Sequence, residues 1–461
     1  MSVGRQALPR SRRAPVGGTH HRPPAWLLLF AGAVALIAAL PLVYLALTIA
    51  GAWPVVIETV LEPRSLALLA RSIGLAAAVT LTATLIAVPS AWLTTRTDLP
   101  FRGLWTVLLA LPLVIPSYIG AYLLVSALGP SGLLQEALGV DRLPSIYGFP
   151  GAWIVLSLCT YPLILLTVRS ALRRLDPQLE DAARGMGRSQ ARTFFGIVLP
   201  QLLPAIGAGA LLVALYVLSD FGAVSIVRFD SFTRAIYVAY QSSFDRTIAA
   251  ALAGLLVLVM LALLAVEARL RSGRAYHRTG PGSQRGGTRV ALGRWRWPAL
   301  AFCWLVVVLA LVLPIGVLVY WSLRSFAGTT DWALVGQAAF NSLLTAGLAA
   351  GLAAICALGI AALTVRHPSR IGTAFDRVAH TGYALPGIVV ALALVFFATR
   401  VALPLYQTLG LLVVALVILF LPQAIGATRT ALLQISPRLE EAARGLGRGQ
   451  LRTMASVTAP L

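Results

Sequence analysis

Residues 180–200 read EDAARGMGRSQARTFFGIVLP, and residues 440–460 read EEAARGLGRGQLRTMASVTAP. Eleven of these 21 positions are identical at an offset of 260. Each segment is a charged island between long apolar runs. Just upstream, Arg169 to Leu172 (RSAL) matches Arg429 to Leu432 (RTAL) at the same offset. Further upstream the offset becomes 270: Arg71-Ser72 matches Asn341-Ser342, and Pro116 matches Pro386. The chain therefore consists of two related halves. The first half carries ten extra residues near 128–149.

The apolar runs fix the fold class. Of 461 residues, 58% are hydrophobic and 11% charged, and mean hydropathy is +0.84. An average soluble domain is about 25% charged, so a soluble globular or disordered chain is excluded. Ten stretches are long and apolar enough for membrane helices, near 26–50, 66–93, 104–127, 150–168, 201–219, 247–266, 298–322, 339–364, 378–399 and 402–427. Trp26, Trp53, Trp92, Trp105, Trp153, Trp321 and Trp332 fall near their ends, as an interfacial aromatic belt requires. The first run follows an Arg-rich tail but is too long for a signal-peptide core, and no clean cleavage site closes it.

Formal net charge is +21, and all 37 basic residues are Arg. With the N-terminal tail in the cytoplasm, the cytoplasmic segments carry 29 Arg and 8 acidic residues, and the outer segments 8 and 8. The whole excess lies on one face, as the positive-inside rule predicts. The basic charge is thus a topology signal, and no nucleic-acid partner is expected. Six crossings separate the two loops, so both face the cytoplasm and the repeats run parallel. Without Lys there is no Walker A motif, and ATP chemistry on this chain is excluded. Cys159, Cys303 and Cys356 lie within apolar runs and form no CxxC pair. The five His residues show no ligand spacing, so no metal site is expected.

The expected fold is all-α and polytopic, with two parallel repeats of six transmembrane helices and about ten helices present. Residues 1–25 read as a cytoplasmic tail, 26–267 as the first repeat, 268–297 as an Arg- and Gly-rich cytoplasmic linker, and 298–461 as the second repeat. By symmetry the second repeat lacks its last two helices, and about 65–70 further residues are expected beyond Leu461.

The repeated loop has a readable local design. Asp176-Pro177 and Ser436-Pro437 place a capping residue before a Pro suited to the first helical position. Glu180 and Arg184, like Glu440 and Arg444, stand at i and i+4 on the short helix that follows. Gly187 and Gly447 then permit a left-handed turn. Ala182-Ala183 and Ala442-Ala443 let another surface approach closely, while Asp181 and Glu441 can meet basic groups on it. This is a helix built for docking, presented twice.

The loop resembles the EAA loop of binding-protein-dependent ABC importer permeases. That pattern has Glu-Ala-Ala, a Gly four residues after the last Ala, and a Pro thirteen residues beyond. Both spacings hold in Ala183–Gly187–Pro200 and in Ala443–Gly447–Pro460. Asp181 replaces the Glu in the first copy, and Ala459 replaces the Leu before the final Pro in the second. Stretches 111–134 and 218–247 look like the fused, double permeases of iron(III) import. The resemblance implies that Glu180, Asp181, Ala182, Ala183 and Gly187, with Glu440, Glu441, Ala442, Ala443 and Gly447, contact two ATPase subunits. It also implies a periplasmic or lipid-anchored binding protein, and ATP and Mg bound only on the partner ATPases. This chain would be a non-enzymatic subunit of a bacterial inner membrane, without a cofactor of its own.

The substrate path is weakly marked. Thr80, Thr84, Thr160 and Tyr161 are polar at membrane depth, and Asp220 lies at an outer end. Back-bonding within a helix and solvated loop charge are the structural readings of the same residues. Thiamine, phosphonate or polyamine would suit the same machine as iron(III). A secondary transporter would need intramembrane ion-coupling residues, and a membrane enzyme would need clustered His, Asp or Glu. Both are nearly absent from the sequence.

Overall fold

The structure, a computed structural model, describes residues 23–130, 132–140, 144–175, 180, 183, 185–242, 246–272, 290–326, 331–435, 439, 442–443, 445–446 and 449. Among these the regular structure is helical, with one isolated parallel bridge between Thr97 and Val290. Among the described residues, nine helices are long and apolar enough to cross a membrane, or ten if one bent pair is a single span.

In chain order the first elements are α1 (Ala25–Gly51), α2 (Trp53–Leu61), α3 (Pro63–Arg96), α4 (Arg102–Leu108) and α5 (Ser117–Leu128). Next come α6 (Leu133–Leu138), α7 (Phe149–Arg174), α8 (Leu199–Ser219), α9 (Gly222–Ile226), α10 (Phe232–Ser242) and α11 (Arg246–Ser272). The second half holds α12 (Arg296–Val307), α13 (Leu313–Phe326), α14 (Trp332–Arg366), α15 (Arg370–His380), α16 (Gly387–Val401) and α17 (Leu409–Gln434). A π-helical turn, Phe194–Val198, leads into α8, and another, Val308–Val312, joins α12 to α13.

The element boundaries repeat. Helices α3 and α14 both end on Arg, at an offset of 270, and α7 and α17 share both ends at an offset of 260. Each of the latter pair carries an internal Pro at the same place, Pro162 and Pro422.

Two expected spans prove not to be single helices. Residues 104–127 divide into α4, a 3-10 turn over Leu111–Val114, and α5. Residues 378–399 divide in the same manner into α15, a 3-10 turn over Thr381–Ala384, and α16. The cause is Pro116 and Pro386, which precede α5 and α16 with φ −58° in both and ψ 137° and 143°. A residue before Pro is driven out of the helical region, and Ile115 is extended at ψ 116°. The expected linker 268–297 is helical to Ser272, and its far end is held from Val290 onward. Val290 donates to the carbonyl of Arg96 and accepts from the amide of Asp98, at 2.9 and 3.2 Å.

The chain packs as two compact units. The larger comprises Leu40–Ala346 and Tyr383–Ala415. Its center is α3, α7 and α8. Small residues of α3 at helical spacing are buried there, including Ala76, Ala83, Ala87 and Ala91, while Leu81 and Leu85 face outward. Such small-residue faces let helices approach where lipid gives little hydrophobic drive. Gly209 of α8 shows how close: a Cβ there would lie 2.8 Å from the backbone of Ile164 on α7. The smaller unit comprises Met1–Ala39, Gly347–Gly382 and Leu416–Leu461. Within it a Cβ on Gly359 of α14 would lie 2.6 Å from the Phe30 ring, and Ala361 and Ala362 pack on Leu432 of α17.

Candidate functional site

The first repeated loop leaves α7 at Leu175 and returns through the π-helical turn to α8. Of its expected contact residues, Glu180 and Ala183 are helical and buried. Gly187 is exposed, at φ +79°. The amide of Arg188 donates to the carbonyl of Ala183 at 3.2 Å. That six-to-one bond across a left-handed Gly is a Schellman termination, so Gly187 ends the short helix. Asp181 and Ala182 lie outside the described residues.

In the second loop Ala442 and Ala443 are helical, with Ala442 exposed and Ala443 buried. The amide of Leu446 donates to the carbonyl of Ala442 at 3.1 Å. Glu440, Glu441 and Gly447 lie outside the described residues.

Two features of these loops are absent from the sequence-level reading. The first is a pair of apolar tips. Met186 is 73% exposed and Leu446 is 84% exposed, at equivalent positions of otherwise polar loops. Burying such a side chain against a partner stabilises by about 1.5–3 kcal/mol. Their equivalence at an offset of 260 is the signal that could have found them. The second is Arg96, whose Nη2 lies 3.3 Å from the Glu180 carboxylate and bonds carbonyls at the end of α7. Its counterpart Arg366 stands at an offset of 270.

The residues expected along a substrate path divide into two places. Thr84 and Thr160 donate to carbonyls of their own helices, Thr80 and Leu156, at 2.7 and 2.6 Å. The Thr80 hydroxyl and the Tyr161 hydroxyl are buried without a hydrogen-bond partner. Asp220 is elsewhere, at the corner between α8 and α9. Far from being solvated, it is 9% exposed. Its carboxylate accepts from the Ser117 hydroxyl of α5 and from the amides of Ala223 and Val224, at 2.9 and 3.4 Å to the amides. Its carbonyl accepts from Thr233 at 2.6 Å. Asp220 thus caps α9 and ties it to α5 immediately after the Pro116 break. Asp230 is exposed and pairs with Arg234 and, at 3.9 Å, with Arg71.

The sequence profile of the binding-protein-dependent transport system inner membrane component matches residues 95–272 and 349–461. Each matched segment contains one copy of the repeated loop. The chain belongs to this family. An Fe(3+)-transport system permease protein of Haemophilus influenzae is 31% identical over 445 residues, 95% of this chain and 85% of that relative. A ferric transport system permease protein of Actinobacillus pleuropneumoniae is 25% identical over 76% of this chain and 54% of its own length. The molybdenum transport system permease protein of Escherichia coli K12 is 37% identical over 29% of this chain and 58% of its own. As an inner membrane component of this family, the chain is a multi-pass transport permease. The family's inner-membrane placement and the apolar helices agree with each other.

Proposed function

We propose that this chain is the permease of an ATP-binding-cassette importer for iron(III). It receives cargo from a periplasmic or lipid-anchored binding protein and docks two ATPase subunits on its two loops. ATP and Mg stay on those partners, and the chain itself is not an enzyme. Nucleotide-driven closure of the ATPases rocks the two halves between outward- and inward-open states, each favored by its own contacts. The Arg distribution supports a cytoplasmic N-terminus, and the repeated loops support parallel repeats. Residues 1–25 would be the tail, 26–267 and 298–461 the two repeats, and 268–297 their linker.

The observation that carries this reading is the pair of docking loops, one in each family-matched segment. Iron(III) is preferred because the match to an iron(III) permease runs over 95% of the chain, whereas the molybdenum and sulfate permeases match over 29% and 38%. Uptake of radiolabelled iron(III) by cells lacking this chain tests the cargo. The reading expects uptake to fall and to return with the gene. Unchanged iron(III) uptake, with loss of thiamine or an oxyanion instead, would replace the cargo and keep the machine.

A further inference from the structure

Each docking loop is tied at its root by an Arg. Arg96 is the last residue of α3, and its Nη2 donates to the carbonyl of Leu172 at 2.9 Å and of Leu175 at 3.3 Å. These belong to the end of α7, where helix carbonyls have no partner of their own. The same nitrogen lies 3.3 Å from Glu180, within the docking helix. The two side chains are 11% and 8% exposed, so water screens their attraction little. Arg366, the last residue of α14, donates to the carbonyl of Ile435 at 3.1 Å, just past α17. Arg96 and Arg366 correspond at an offset of 270, and Leu175 and Ile435 at 260, so the tie recurs at both roots. Arg96 also sits in the turn that holds the incoming linker, where Leu292 donates to the Asp98 carboxylate at 2.9 Å.

We infer that Arg96, and Arg366 in the other half, are positioning residues that make the docking helix move as one body with the membrane helices. The inference rests on the reading of these loops as ATPase docking elements. The Arg96 contact links Glu180 of the docking helix directly to the ends of α3 and α7, so ATPase movement reaches both membrane helices without passing along the intervening chain. Lys in its place keeps the charge but lacks the planar, forked head.

The test uses the whole complex in proteoliposomes, with iron(III) on its binding protein, and measures iron transported per ATP hydrolysed. Arg96→Ala is expected to lower that ratio about fivefold or more, and Arg96→Lys to recover part of it. An unchanged ratio in Arg96→Ala would overturn the inference. If Arg96→Ala does not assemble, Arg96→Lys and Glu180→Gln decide: both must lie below wild type, and wild-type ratios in both would overturn it. A wild-type complex without ATP-driven transport would instead sink the docking reading itself.

Discussion

The amide of Arg188 donates to the carbonyl of Ala183 across a single left-handed residue, Gly187. A Cβ at Gly187 would meet nothing within 4 Å, so the demand is on backbone conformation alone. A side chain there costs about 1–2 kcal/mol in the left-handed region. Gly187→Val should therefore abolish most ATP-driven uptake while leaving membrane insertion intact. Gly187→Asn, which tolerates that region, should retain more activity than Gly187→Ala. ATP-driven uptake by reconstituted proteoliposomes, normalised to inserted protein, checks the order.

Met186 and Leu446 offer exposed apolar tips where the proposed ATPases dock. Met186→Asp and Leu446→Asp should each weaken ATPase binding about tenfold or more, because each loses its burial and places a charge in the contact. Titration of the ATPase subunit onto the solubilised permease gives the dissociation constant directly. Affinity unchanged in both variants would place the docking contact elsewhere.

Asp220 holds α5, α9 and the start of α10 together through its carboxylate and carbonyl. Asp220→Asn keeps an oxygen for the amides of Ala223 and Val224, whereas Asp220→Ala leaves buried donors unpaired. Removing such partners costs about 1–3 kcal/mol. Thermal unfolding in detergent should rank wild type above Asn, and Asn above Ala.

Gly207 and Gly209 lie two residues apart on α8 but in different surroundings. A Cβ at Gly209 would sit 2.6 Å from the Thr167 hydroxyl and 2.8 Å from the Ile164 backbone, while one at Gly207 meets nothing. Gly209→Ala should destabilise by about 1–3 kcal/mol through overpacking. Gly207→Ala should keep or raise the midpoint, since Ala is the better helix former. A matched pair of melting curves tests this.

Helix type and placement were legible because lipid solvent leaves so few alternatives. Helix ends were less so. Helix α3 runs from Pro63 to Arg96, beyond the apolar run at 66–93, because Pro starts it and a terminal Arg is welcome at a helix C-terminus. The breaks at Pro116 and Pro386 escaped hydropathy, since apolar composition continues through them. Both prolines were visible as matched positions, yet only the backbone shows that they end one helix and begin another.

The repeated loops were legible because their residues recur at a fixed offset. Arg96 and Arg366 recur too, but their meaning depends on α3 meeting α7, and α14 meeting α17, across long stretches of chain. The substrate path was the least legible part. Whether a Thr faces cargo or its own helix is decided by a side-chain torsion, and Thr84 and Thr160 turn inward to their helices. Asp220 read as an outer-loop charge because its partners Ser117 and Thr233 come from separate parts of the sequence.

The most direct test of the central claim is ATP hydrolysis by the complete complex in liposomes, with and without iron(III)-loaded binding protein. The account predicts co-purification of an ATPase, stimulation by the loaded binding protein, and loss of that stimulation when Gly187 and Gly447 are both replaced by Val. Absence of any ATPase partner, with iron(III) uptake driven by a proton or sodium gradient alone, would contradict it.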